Sequence, residues 1–235
     1  MRKLLLLTAM LLVVTAASAQ WKVGLTGGSA WNWHTGPRYD VNHCDMKYEM
    51  KIGSTFGLLT QYQFNDWFGI RADLDYVSKD YVISYASSNN IHDNMDITCF
   101  SYTEMQTRLN RYLLLPVKAD FSFGISDRSR LYGNLGFYAG YWMSERFHHS
   151  VDICSAETDY YNGKREFDSR ADRRFDAGFT AGFGICYSLC RHFEISVEGL
   201  CYYGLVSSAK NYSPYVENRR YDVTASARFG VSYKF

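Results

Sequence analysis

Two short clusters in this chain carry the residue types of site chemistry. His148-His149-Ser150 sets a histidine two positions before a serine, with Glu157 downstream. A hydroxyl becomes a nucleophile when a neighbouring imidazole takes its proton and a carboxylate orients that imidazole, so such a trio suits acyl-group hydrolysis. The plainer reading is a loop histidine making ordinary hydrogen bonds, and no catalytic residue is assigned. His92-Asp93 with Asp96 offers donors for a divalent cation. Oxygen-ligated cations take about six to eight ligands, more than this segment supplies, so no metal or cofactor site is assigned. Asp80, Asp93, Asp96 and Glu104 accompany a segment without Lys or Arg from Val82 to Thr107, which reads as a solvated acidic surface.

The chain has 6 cysteines. Cys186 and Cys190 lie four residues apart on one strand, about 13 Å at about 3.3 Å per residue, too far to bridge each other. Cys201 also falls within a strand. Cys44, Cys99 and Cys154 fall in three separate loops. An oxidising compartment permits a loop disulfide, and Cys99 with Cys154 joins neighbouring loops, although three loop cysteines leave one over.

The elements that hold these groups announce themselves at the C-terminus. Tyr221, Val223, Ala225, Ala227, Phe229, Val231, Tyr233 and Phe235 alternate with Asp222, Thr224, Ser226, Arg228, Gly230, Ser232 and Lys234. That is the period of two of a β-strand with one apolar and one polar face. A membrane-crossing strand needs about 9–11 residues, with the apolar face toward lipid. This reads as the closing strand of an outer-membrane barrel, with Tyr233 and Phe235 as the C-terminal insertion signal. At the other end, Arg2 and Lys3 precede the apolar run Leu4 to Ala16 and the small residues Ala17-Ser18-Ala19. Residues 1–19 thus read as a secretory signal peptide, with a barrel domain over 20–235. Tyr (20) and Phe (15) are abundant and Pro (3) is scarce, as in a chain that is mostly strand. A net charge of +1 gives no basic patch for nucleic acid.

The same alternation marks eight strands: Trp21 to Gly28, Ile52 to Phe64, Trp67 to Val77, Leu109 to Phe123, Leu131 to Met143, Phe175 to Ser188, the strand around Phe193 to Tyr203, and the last. Short turns at Asn65-Asp66, Ser126 to Ser129 and Cys190-Arg191 alternate with long loops at Ala30–Met50, Ile83–Thr107, Phe147–Arg173 and Ser207–Arg220. The expectation is an all-β, eight-stranded antiparallel up-and-down transmembrane barrel, short turns in the periplasm and long loops outside. A soluble lipocalin-like binder is the alternative, and it predicts an apolar interior.

Here the inward set is charged: Lys22, Arg71, Asp73, Asp75, Lys118, Asp120, Asp176, Glu194, Glu198, Asp222, Arg228 and Lys234. A lone buried charge is costly, so these should pair into a lumen charge network, and an eight-stranded interior is only wide enough for side chains. Nothing in the spacing marks a conduction path or a catalytic carboxylate pair. Inward Gly178, Gly182 and Gly184 make room for Tyr132, Tyr138 and Trp142. Pro116 cannot donate to a ladder, so a bulge or break is expected near it.

Tyr112-Leu113-Leu114-Leu115-Pro116-Val117-Lys118 resembles the Y-L-x-I-P-L strand of PorT-like outer-membrane β-barrel proteins of Bacteroidota, and Gln20 and the ending Val231-Ser232-Tyr233-Lys234-Phe235 are similar too. The resemblance implies an eight-stranded barrel in the cell outer membrane and little about activity. The His-x-Ser pair resembles that of outer-membrane lipid A deacylases, whose further small motif is missing here. The expected role is therefore structural or loop-mediated surface interaction without catalysis, a lipid A-modifying enzyme being the other membrane alternative. Its surroundings would be outer-membrane lipid and lipopolysaccharide, the latter bridged to the acidic loop through divalent ions, with the barrel-assembly machinery acting during insertion. The sequence names no partner for the external loops.

Overall fold

The computed structural model describes the backbone of residues 20–35, 40–41, 44–93, 96–153, 157–170, 172–208, 210 and 221–235, and side chains there except at 34–48, 85–103 and 152–159. Residues 1–19, the expected signal peptide, lie outside the described residues. Twelve strands follow in order: β1 (Gln20–Thr35), β2 (Asp40–Val41), β3 (Cys44–Met50), β4 (Ile52–Gln63), β5 (Phe68–Ser78), β6 (Tyr81–Asp93), β7 (Asp96–Gly124), β8 (Ser129–Ile153), β9 (Glu157–Lys164), β10 (Phe175–Ser188), β11 (Phe193–Gly204) and β12 (Tyr221–Lys234).

Eight of them close a ring. The order is β1-β4-β5-β7-β8-β10-β11-β12, and β12 returns to β1 with Lys22 opposite Lys234 and Thr35 opposite Tyr221. Every pairing in the ring is antiparallel, so this is an all-β up-and-down barrel. Closure leaves no ring strand with an unpaired edge, which is what hydrocarbon surroundings demand of a β-structure. The wall is inside-out relative to a soluble barrel. Phe137 and Phe183 on the outer face are 66% and 76% exposed, whereas Arg71 and Lys118 on the inner face are 2% and 1% exposed.

The long segments between ring strands differ from the expected loops. β5 and β6 both pair with β7, with Ser78 opposite Arg111 and Tyr81 opposite Arg108, so β6 prolongs β5 past a break at Lys79-Asp80. The segment Ile83–Thr107 is therefore a β-hairpin whose strands meet at Asp93 opposite Asp96. Within Ala30–Met50, β1 continues to Thr35 and β3 pairs with β6. Within Phe147–Arg173, β8 continues to Ile153 and pairs with β9. Most of Ser207–Arg220 lies outside the described residues. The cause is composition: 81–93 and 96–109 are rich in Tyr, Ile, Ser and Thr, several of which favour strands. Clear of the membrane, both faces of a strand can be polar, and the apolar alternation that marks the wall is lost.

Pro116 stays in register with Tyr138 on β8, and the register shift lies at Arg111/Tyr112 instead. There Arg111 faces Ser144 and Tyr112 faces Trp142, leaving Met143 as the extra residue on β8. On the β5 side the ladder pauses between Ala72–Val117 and Asp75–Leu114 with its register unchanged. The missing N–H thus costs a gap on the β5 side of the strand, and the bulge belongs to another place.

Candidate functional site

Inward residues of the ring fall into tiers, separated along the barrel axis by strand register. At the end with the short turns, where β1 begins and β12 ends, Glu194 near the start of β11 receives Lys22 Nζ at 2.9 Å, Arg130 Nη2 at 2.6 Å and Lys234 Nζ at 2.5 Å. The adjoining inner wall carries Gln20, Gln61 and Gln63. Asp120 stands beside this tier outside the ion pairs, held by Gln61 Nε2 and Ser122 Oγ, each at 3.1 Å.

The middle tier balances three cations against three carboxylates. Arg71 donates Nη1 and Nη2 to Glu198 at 3.0 Å each and Nε to Asp73 at 2.8 Å. Lys118 Nζ donates to Asp73 at 2.7 Å. Arg228 donates to Asp75 at 2.8 Å and to Glu198 at 2.7 Å. Tyr202 donates to Asp75, and Asn134 Nδ2 donates to Glu198 at 2.7 Å. All six charged groups are buried. Each lone pair and proton so placed replaces a lost water contact, without which such burial is prohibitive.

Above it, Lys79 Nζ lies 2.6 Å from Asp176 and 3.8 Å from Asp222, and 4.5 Å over the Tyr112 ring. Tyr138 also donates to Asp176, at 3.2 Å. Trp142 stacks on Tyr112 with ring centroids 5.8 Å apart and meets Phe167 edge-on at 4.8 Å, which roofs this tier. The topmost tier lies inside the external extension of the wall. Buried Glu145 is gripped by Arg108 and by Arg165, whose second nitrogen reaches Asp172 at 2.7 Å. Outside the spanning strands, Asp80 accepts from Asn110 N–H at 2.9 Å and Arg111 Nη1 at 2.7 Å. Burial nonetheless pushes its carboxyl above the ordinary value, against the pull of Arg111.

The residues expected to form one network are therefore divided among separate tiers, and Asp120 has no ion pair among the described residues. Sequence reasoning missed Lys79, Arg108, Glu145, Arg165, Asp172 and Tyr202. Lys79 follows the last alternating residue of its strand. Glu145 shares its odd parity with outward Tyr141 and Met143, and only the extra residue on β8 turns it inward. Gly184 and Gly178 do face tyrosines: a Cβ there would stand 2.6 Å from the Tyr132 ring and 2.9 Å from the Tyr138 ring. Trp142 does not share this arrangement: its ring partners are Tyr112 and Phe167.

The candidate chemistry of His148-His149-Ser150 does not assemble. The three lie on β8 rather than in a loop. His148 Nδ1 contacts Asn162 Oδ1 at 2.5 Å, Ser150 Oγ donates to the Met105 carbonyl, and His149 Nε2 lies 2.7 Å from Glu104. The side chain of Glu157 lies outside the described residues, as do those of Cys44, Cys99, Asp93, Asp96 and His92, while Cys154 lies outside altogether. The expected Cys99–Cys154 bridge thus falls outside what is described. Cys186, Cys190 and Cys201 are free thiols.

A family model described as "Outer membrane protein beta-barrel domain" matches residues 16–210. None of the curated proteins matches the sequence. Among solved structures, Ail, the attachment invasion locus protein of Yersinia pestis, is 14% identical over 91% of this chain and 98% of its own, with a TM-score of 0.41. The outer membrane protein OprG of Pseudomonas aeruginosa is 13% identical over 92% and 96%, with a TM-score of 0.47. Neisserial surface protein A is 13% identical over 92% and 99%, with a TM-score of 0.40.

Proposed function

Because the chain belongs to the family of outer membrane protein β-barrel domains and lies in the outer membrane, we propose that it is a closed barrel that anchors an external β-sheet. It works by surface contact rather than by catalysis or conduction. The observation that carries this reading is the occupied lumen. Successive tiers of ion pairs cross the ring where a porin would hold water, and barrels with aqueous channels have about 16–18 strands. Lipid A hydrolysis is the weaker alternative, since His148 and Ser150 are engaged with Asn162 and Met105 rather than with each other.

The purified protein in planar bilayers should give no steady conductance, and cells expressing it should keep every acyl chain on lipid A by mass spectrometry. Large reproducible currents, or an acyl loss that depends on Ser150, would replace this reading with a channel or an enzyme. The remaining parts of the proposal follow from the sequence. The chain is of the PorT-like kind, residues 1–19 are removed at Ala19/Gln20, and Tyr233 with Phe235 presents the barrel to the assembly machinery. Its outer-leaflet partner is lipopolysaccharide.

A further inference from the structure

The extension of the wall sorts its basic residues by strand parity. Arg108 and Arg165 point inward and share Glu145. Arg146 and Lys164 are directly opposite each other on β8 and β9, and both are exposed. They share the outward face with exposed His148 and its partner Asn162 in the next outward pair. Among the described residues neither cation lies within ion-pair distance of a carboxylate, exposed Glu166 included. Like charges placed opposite on one face, with Cβ atoms about 4.5–5.5 Å apart, destabilise a sheet unless something anionic lies between them.

A third cation lies lower on the wall, beside Trp142 and Met143. Arg174 donates to the carbonyls of Trp142 at 2.9 Å and Met143 at 3.1 Å, and its guanidinium sits 4.5 Å from the Tyr141 ring and 4.4 Å from the Phe167 ring. Tyr141 and Met143 end the outward apolar row Leu131, Leu135, Phe137. From Met143 to Arg146 is about 10 Å of strand at about 3.3 Å per residue, a rise of about 7–8 Å at the usual barrel tilt of about 35–45°, comparable to the depth of one lipid headgroup layer, about 5–8 Å. Long basic side chains can also bend back toward the boundary.

We propose that Arg146, Lys164 and Arg174 form a binding surface for the phosphate of an outer-leaflet lipid. Arg146 and Lys164 clasp the phosphate oxygens, and Arg174 marks the level at which the acyl chains begin. A guanidinium and an ammonium paired across one outward face are suited to a tetrahedral dianion through charge-assisted hydrogen bonds. Height above the apolar row selects a lipid over a soluble anion, because the acyl chains would lie along Phe137 and Tyr141. The inference rests on the outer-membrane reading above and names the chemistry by which the outer face meets its lipid.

The test uses the full chain folded in phosphatidylcholine vesicles and a fluorescent lipid A, with and without its phosphates, as the probe. Phosphorylated lipid A should bind, and removing its phosphates should weaken binding at least tenfold. Arg146→Glu with Lys164→Glu should do the same, whereas Arg146→Lys should retain most of it. Heat-modifiable migration on gels shows that each variant is still a barrel. Equal binding by the folded double variant, or by dephosphorylated lipid A, overturns the proposal. Release by millimolar inorganic phosphate would assign the cations to a soluble anion and overturn it as well. Conductance tests the broader reading independently of either result.

Discussion

Arg71 and Glu198 join strands that lie diametrically opposite in the ring, through two hydrogen bonds of 3.0 Å. Three strands lie between β5 and β11 in either direction. A contact of this kind cannot form in a hairpin or a partial sheet. It needs the closed cylinder, so it ties the middle tier to closure itself.

Arg71→Ala should therefore cost about 3–5 kcal/mol, because Asp73 and Glu198 lose a buried partner. Replacing Arg71 and Glu198 together by Met should cost less than the sum of the single changes. A double-mutant cycle from urea unfolding in vesicles measures the coupling. Strict additivity would mean that the two side chains are hydrated independently and that the lumen is wetter than the geometry implies.

The lipid face gives a second expectation. Phe179 is exposed on the outer wall with its ring 5.1 Å from that of Phe137, while its neighbour Thr180 is buried in the lumen. Phe179→Arg should destabilise the folded barrel by about 2–4 kcal/mol in bilayers through charge in hydrocarbon. Thr180→Arg should act by crowding, and so should harm the protein equally in detergent and in bilayers.

Thiol chemistry reads the same geometry. In variants that retain one cysteine, a charged maleimide should label Cys190, which is exposed in the short turn after β10. Only a membrane-permeant reagent should reach outward Cys201, and buried Cys186 should resist both until the barrel unfolds. Fast labelling of Cys201 by the charged reagent would place β11 out of contact with lipid.

Glu145→Gln should loosen the external extension without opening the ring, since Arg108 and Arg165 both depend on that carboxylate. A loss of about 2 kcal/mol is the size of a charge-assisted hydrogen bond. Hydrogen exchange should quicken in β9 and the neighbouring end of β8 while β10 to β12 stay protected. Uniform acceleration across the ring would make the topmost tier part of the barrel's own cooperative unit.

Much of this architecture is written in residue order. Alternation from Tyr221 to Phe235, and its repetition from Phe175 to Tyr187, assigns each side chain to lipid or lumen, because a strand's period of two is a local property of the backbone. Eight such rows and three tight turns define the closed, charge-filled ring. The external strands were illegible for the complementary reason: β6, β9 and the upper parts of β7 and β8 leave the hydrocarbon, and with it goes the constraint that writes the pattern. Tertiary structure alone decided three further things. It chose which carboxylate each cation meets, since Arg71 and Glu198 are remote in sequence and are brought together by closure. It placed Lys79 inside, at a break that continues β5 into β6. It turned Glu145 inward and left Arg146 outward, because one extra residue at Met143 exchanges the two faces of everything beyond it.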